Sequence, residues 1–276
     1  MALQALRARR TELDNLAARL DAEERNTLVE GELDARPMGI GKGPKPPSYN
    51  VQMAVDADTG LIIHHAVTGE ANDTRQLYPM AKATKDTLGV ESLTVVADAG
   101  YSSGTAAAAR EADGITACAP TNRSIHSQGG GTLFGRSAFI YQPEADTYTC
   151  PAGHVLARKQ VMHRDRLILY AARDCAGCSL KLRCTTAERR FVTRHLHEDA
   201  LERMNARFQA DPTLIRRRRC ASEHPFGTIK RMTAGGRFLT RGLKKVSAEA
   251  ALSVLAYNII RTINLIGAAI LRASLA

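Results

Sequence analysis

Leu93-Thr94-Val95-Val96-Ala97-Asp98-Ala99-Gly100-Tyr101-Ser102-Ser103-Gly104 decides the fold class of this chain. A short run of apolar and β-branched residues reads as a buried strand, and an acid followed by a glycine reads as the turn that ends it. The carboxyl ends of buried strands are where α/β proteins usually place ligand-binding groups, so Asp98 is a candidate functional carboxylate. The competing reading is a carboxylate that caps the next helix. Gly100 permits a positive φ under either reading.

The neighbouring segments extend the same pattern. Tyr49–Val55 alternates as a strand and Leu61–Val67 forms another, with turn chemistry in Asp56-Ala57-Asp58-Thr59-Gly60 between them. A helix follows from about Thr74 to Leu88 with Asp73 as its expected cap. Beyond Asp98, a helix over about 104–112 leads to a strand over Ile115–Pro120. Hairpin, helix, strand, helix, strand is an α/β order. Upstream, Leu6, Leu13 and Leu20 recur every seven residues in a helix over 2–24, either packed on its own domain or half of a hairpin. Gly39–Ser48 holds too much Gly and Pro for a helix or sheet interior and reads as a basic, flexible connector. The rhythm breaks over 121–197 and becomes helical from about Glu198. A long final helix is expected over Ser247–Leu275. The implied organisation is a helical segment (1–38), a linker (39–48), the first part of a core (49–120), a cysteine-rich insertion (121–197) and a helical second part of the core (198–276).

A net charge of +10 in 276 residues points to nucleic acid or another acidic partner. No run has the roughly 18 uninterrupted apolar residues of a membrane span. The apolar C-terminal run is broken by Asn258, Arg261 and Asn264, which suits a buried helix. The N-terminus lacks the apolar core of a signal peptide. A cytoplasmic location without membrane partners is expected, and the six cysteines then suggest reduced thiols or metal. Four of them, Cys150 and the run Cys175-x2-Cys178-x5-Cys184, have spacing suited to one tetrahedral Zn²⁺. An iron–sulfur cluster is also spacing-compatible, His154 could replace one thiol, and four unrelated thiols are the plain alternative. Cys118 and Cys220 read as ordinary packing residues.

Between Arg216 and Lys245 stand ten Lys or Arg residues and a single acid, Glu223. On a helix, Arg219, Glu223 and Lys230 return to one face at offsets of four and seven. Pro225 is tolerated in a first helical turn, so a helix starting near Ser222, or a kink, is expected there. A start at Ser222 would leave Arg219 outside the helix. Arg216, Arg217, Arg218, Arg231, Arg237, Arg241, Lys244 and Lys245, with Lys230, make a candidate phosphate-binding surface. The plain alternative is a solvated charge run.

Asp98-Ala99-Gly100-Tyr101-Ser102 resembles the second-aspartate motif of the DDE transposases of bacterial insertion sequences, and Arg219-x3-Glu223-x6-Lys230 resembles their acidic third motif. Tyr49-Asn50-Val51-Gln52, the stretch from Asn72-Asp73 to Met80-Ala81, and Leu252-x3-Ala256-Tyr257-Asn258 resemble the branch with a cysteine-bearing insertion. The likeness runs from about residue 30 to about 267. It implies an RNase H-like mixed sheet with flanking helices, a small zinc-ribbon-like insertion and a C-terminal helix. It also implies cleavage and strand transfer at element ends, with carboxylates holding two Mg²⁺ (or Mn²⁺) ions about 4 Å apart. Asp98 and Glu223 would be metal ligands, and Arg219 and Lys230 would contact phosphate or steady the acid. The implied partners are terminal-repeat and target DNA and further copies of the chain in a synaptic complex. The sequence departs from the family in three places: position 216 is Arg where the family has Tyr, Pro225 lies close behind Glu223, and no Asp-Gly-Thr supplies the first aspartate. An N-terminally truncated enzyme is therefore expected, with Asp34 and Asp56 as the nearest substitutes. The alternative is an inactive fragment that binds DNA or inhibits an intact transposase.

Overall fold

The computed structural model describes residues 2–39, 43–101, 104, 111, 113–120, 133–163, 165–173, 175–233 and 236–275. It is a mixed α/β protein with two compact units, residues 1–93 with 212–276 and residues 94–211.

The first unit begins with α1 (Ala2–Ala22). Its leucine face is not packed away, since Leu3, Leu6 and Leu13 are exposed. Ion pairs tether the helix instead, from Arg9 to Glu30 at 2.9 Å and from Arg19 to Asp34 at 3.6 Å. The expected connector is closed by a two-residue antiparallel ladder between β1 (Arg36–Pro37) and β2 (Pro47–Ser48). Positions 40–42 lie outside the described residues.

The hairpin forms as expected from β3 (Asn50–Val55) and β4 (Ile62–Thr68), with a register irregularity at Ala54/Val55. Asp56 fixes the turn by accepting hydrogen bonds from the Thr59 N–H (2.8 Å) and hydroxyl (2.5 Å). Strand alternation sends Val51 and Met53 to one face and Asn50 and Gln52 to the other. Asp73 accepts from both amides at 2.7 Å. It therefore does not cap α2 (Leu77–Leu88), which starts after Gln76 without a side-chain cap. At the other end of α2, Gly89 adopts φ 64° and closes a left-handed C-cap.

Two long helices complete this unit. Helix α5 (Thr213–Met232) carries Pro225 inside it. Helix α6 (Leu243–Ile266) buries Val246, Ala250, Val254 and Tyr257, and Gly267 at φ 85° breaks it from α7 (Ala268–Leu275). The C-terminal helix is thus two helices, because residue 267 adopts a backbone conformation that favours glycine. A core of Ile62, Ile229, Val254 and Tyr257, with Met53 and Val55, joins the hairpin to α5 and α6. The opposite side of α6 leaves Leu252, Leu255, Ile259, Ile263 and Ile266 exposed, so the helix is buried along one face only. Among the described residues it is the one helix long and apolar enough to cross a membrane by length and composition. Its polar breaks serve the hairpin. Asn258 bonds both main-chain groups of Ile62 (2.9 and 2.8 Å), Arg261 donates to the Thr59 carbonyl (2.6 Å), and the Tyr257 hydroxyl donates to the Gly60 carbonyl (3.0 Å).

The second unit holds β5 (Leu93–Val96) paired with β6 (Ile115–Cys118). Helix α4 (Glu198–Ala210) buries Ala200, Leu201, Met204 and Phe208 and packs against β6. Gly104 and Glu111 are helical, and the rest of the expected 104–112 helix lies outside the described residues, as does 121–132. The remainder is a five-stranded antiparallel sheet in the order β11-β10-β9-β8-β7, from β7 (Ile140–Gln142), β8 (Thr147–Thr149), β9 (Val155–Met162), β10 (Leu167–Ala172) and β11 (Phe191–His195). The short helix α3 (Lys181–Cys184) precedes β11. The insertion is therefore more than a small ribbon, with a core of Phe139, Tyr148, Leu156, Tyr170 and Val192. Nor do the described residues form one mixed sheet: β3–β4 and β5–β6 are separate two-stranded ladders.

Glu111 anchors α4. It accepts from Arg203 (2.6 Å) and Arg207 (2.7 Å), and these hydrogen bonds, Arg203's foremost, hold its carboxyl down to about 2. A lowered carboxyl stabilises the fold fully above its ordinary value of 4.5, and that contribution disappears as pH falls towards 2. Glu111→Gln should therefore lower the urea midpoint of this unit at neutral pH and flatten its fall over that acidic window. An unchanged pH profile would contradict the pairing.

Candidate functional site

Asp98 stands where β5 ends. Its carboxylate accepts the Gly100 N–H at 2.9 Å, and a 3-10 turn over Ala99–Tyr101 follows. The glycine thus serves a right-handed turn and does not use the positive φ it permits. The residue as a whole is half-buried. Gly104 closely approaches His195, because a Cβ added to it would come within 2.2 Å of the ring's Nδ1. That ring is fixed in turn, with Nδ1 accepting the His197 N–H at 3.0 Å and the His195 N–H donating to Glu198 at 2.8 Å. Gly104→Ala should cost about 1–3 kcal/mol through overpacking. A urea titration that finds the same midpoint as wild type would refute the contact.

Glu223 projects from α5 in the first unit. The helix does not begin near Ser222; it begins at Thr213 and continues through Pro225. Proline cannot donate to the Ala221 carbonyl, yet its ring is fully buried, and that packing offsets the lost hydrogen bond. Arg219 is consequently helical, and its Nε lies 3.7 Å from the Glu223 carboxylate, with both side chains more than two-thirds exposed. Beside Glu223, the His224 Nδ1 lies 3.3 Å from the Tyr257 hydroxyl, which ties this turn of α5 to α6.

Lys230, two turns on, lines a cleft of about 250 Å³ with Tyr49, Phe226, Arg237 and Phe238. Burial, with the Glu32 carboxylate second, pushes the Tyr49 phenol up to about 12, so it stays protonated. The other expected phosphate contacts lie on α5, the connection after it, and the first turn of α6. Arg216, Arg231, Arg237, Arg241, Lys244 and Lys245 are exposed, and Arg218 is half-buried. Arg217 is partly engaged, pairing with Asp58 at 2.9 Å. An exposed pair of this kind is weak and could yield to phosphate.

Both substitutes for the first aspartate have other tasks. Asp34 accepts the Leu243 N–H at 3.0 Å, at the start of α6, and Asp56 holds its own turn. Glu32 likewise accepts the Gly242 N–H at 3.0 Å. Carboxylates at a helix N-terminus compensate its unpaired N–H groups and dipole.

The four spaced cysteines line one cavity of about 20 Å³, together with His154, Lys181 and Arg190. Cys150 sits on the β8–β9 turn, where its N–H donates to the His154 carbonyl (2.9 Å) and the Gly153 N–H donates back to its carbonyl (2.8 Å). A second turn runs through Cys175 and Cys178, and the buried Cys184 ends α3. Burial pushes the Cys184 thiol up, the other three thiols push the same way, and Arg190 opposes them. All four are free thiols, and among the described residues no group of three or more His, Cys, Asp or Glu side chains is placed so that it could hold a metal ion. Cys118 is buried and Cys220 is exposed, so only the first matches its reading as a packing residue.

Residues 149–263 match the family model described as the transposase DDE domain. The matched span is under half of the chain; it includes Glu223 and leaves Asp98 outside. It supports a DDE-type transposase, the family that the motifs resemble. No curated protein and no solved structure matches the chain.

Proposed function

We propose that this chain is the catalytic part of an insertion-sequence transposase that cleaves and joins DNA by metal-dependent phosphoryl transfer. The observation that carries the reading is Glu223, which stands exposed on a helix with Arg219 beside it, in a segment otherwise wholly basic and matched by the transposase DDE domain. Asp98 and Glu223 are the proposed ligands for Mg²⁺ or Mn²⁺, whose preference is for carboxylate oxygens. When bound, such ions activate the attacking hydroxyl and stabilise the leaving oxygen. Arg219 and Lys230 steady the acid and contact phosphate, and Arg216, Arg217, Arg218, Arg231, Arg237, Arg241, Lys244 and Lys245 bind the DNA backbone. The core is proposed to be RNase H-like, spanning 49–120 and 198–276, and the protein to act in the cytoplasm, without a membrane partner, as a self-associated complex on element ends and target.

Zn²⁺ is the proposed ion for Cys150, Cys175, Cys178 and Cys184. Support comes from the donor set and from the small cavity that the four thiols share. The metal's role is to hold the turns together.

A second reading, a catalytically inactive DNA-binding or transposase-inhibiting protein, is favoured by the engagement of Asp34 and Asp56, which leaves the third carboxylate unassigned. Gel-shift titrations on terminal-repeat DNA separate the two when paired with a nicking assay in Mn²⁺. Both readings expect binding that weakens steeply with salt. The enzyme reading alone expects nicking, and binding with no nicking at any metal concentration would favour the inactive protein.

A further inference from the structure

Leu239 is 84 % exposed in a loop that is otherwise tied down. The loop from Gly236 to Gly242 lies between α5 and α6, and both glycines adopt a positive φ (83° and 85°). Between them, the Glu249 carboxylate accepts the Leu239 N–H at 2.9 Å, the Thr240 N–H at 3.0 Å and the Thr240 hydroxyl at 2.8 Å. At the far end, the Gly242 N–H donates to Glu32 at 3.0 Å and to the Tyr49 hydroxyl at 3.1 Å. Phe238 meets the Tyr49 ring edge-on, with centroids 6.1 Å apart. One apolar residue of the loop is thus packed, and its neighbour is presented to water. A single exposed leucine is ordinary on a protein surface. This one stands apart because a carboxylate fixes its own N–H. In addition, Arg237 and Arg241, both exposed, lie two residues to either side of it.

An apolar side chain set between two cations suits a polyanion with an apolar interior, and duplex DNA is one. Proteins that kink DNA insert such a side chain between stacked bases, and contacts to the bent duplex offset the unstacking. Arginines on phosphates fix the register of the insertion. A loop already ordered by hydrogen bonds avoids the cost of ordering on binding. We propose that Leu239 is a DNA wedge, inserted between adjacent base pairs while Arg237 and Arg241 hold phosphates on either side. This rests on the DNA-binding reading above. It adds a deformation of the duplex that contacts to the backbone alone would not produce.

The test uses the full-length chain at low salt and short duplexes carrying one 2-aminopurine, whose fluorescence rises when it is unstacked. One duplex is fully paired, and the other has a mismatch beside the probe. Wild type should raise the fluorescence and bind the mismatched duplex about tenfold more tightly, because a mismatched step is cheaper to open. Leu239→Ala and the near-isosteric, polar Leu239→Asn should lose the rise and the preference, whereas Leu239→Met should keep both. Arg237→Ala and Arg241→Ala should each lower the slope of log affinity against log salt by about one. Wild type that binds both duplexes equally and leaves the probe stacked would overturn the wedge and leave the DNA-binding reading standing. Wild type that binds neither duplex would overturn both. Leu239 variants that keep the fluorescence rise but change self-association would assign the leucine to a contact between copies and overturn the wedge. Should Leu239→Ala fail to fold, Leu239→Asn and the wild-type signal decide.

Discussion

Cys178→Ser is expected to lose its zinc and, with it, the cooperative unfolding of the five-stranded sheet. The apolar core of that sheet is small, and its strands are joined by turns that carry the thiols: the β8–β9 turn at Cys150 and the connection from β10 to β11 that holds Cys175, Cys178 and Cys184. Structural zinc in small sites contributes an apparent ~10–16 kcal/mol, as much as the whole stability of an ordinary domain. Serine is nearly isosteric with cysteine, so packing loss alone would be minor. Hydrogen exchange should therefore show β9, β10 and β11 losing protection together, and metal analysis should find about one zinc per wild-type chain and none in the variant. A metal-free wild type, or a serine variant with unchanged protection, would remove the metal from the fold.

The second large effect concerns the carboxylates. In a form of the protein that nicks DNA, Glu223→Gln and Asp98→Asn should each lower the rate at least about a thousand-fold, because a misplaced catalytic ion forfeits several kcal/mol of charge stabilisation in the transition state. Both changes are nearly isosteric, and Glu223 is exposed, so its loss should leave folding intact. Binding to terminal-repeat DNA should be retained, since it depends on the basic residues and not on the acid. Equal nicking by wild type and variants would reject both residues as ligands.

Local patterns were the legible part of the sequence. The hairpin is marked by alternation around Asp56–Gly60, and β5 and β6 by short apolar runs, so all appear within a residue or two of expectation. The resemblance also singled out Tyr257 and Asn258 without a role, and in the structure they clamp the hairpin turn. The five-stranded sheet was hidden because its strands do not alternate cleanly. In β9, Leu156 is buried, whereas Arg158, two residues on, is exposed and pairs with Asp146 at 3.1 Å, an acid that also accepts from Tyr141 and Tyr170. A charge at the next same-face position erases the apolar alternation that would have announced the strand.

Pro225 misled for a related reason. A proline alone reads as a helix start, and only burial of its ring lets α5 run through it. The cysteine spacing was visible, but the arginine beside it was not, because nothing in the sequence separates Arg190 from its neighbour Arg189 until one is buried and the other is not. The Asp73 carboxylate reads as a cap for the nearest helix, whereas two amides from β3 claim it.

The most direct measurement is Fe²⁺-directed backbone cleavage of the full-length chain, with iron and ascorbate replacing Mg²⁺ and the cut positions read by mass spectrometry. Cuts are expected beside Asp98 and beside Glu223, competed away by Mg²⁺, lost beside Asp98 in Asp98→Asn and lost beside Glu223 in Glu223→Gln. Cuts at neither segment, or cuts that persist unchanged in both variants, would show that these carboxylates hold no catalytic ion and would contradict the transposase mechanism proposed for this chain.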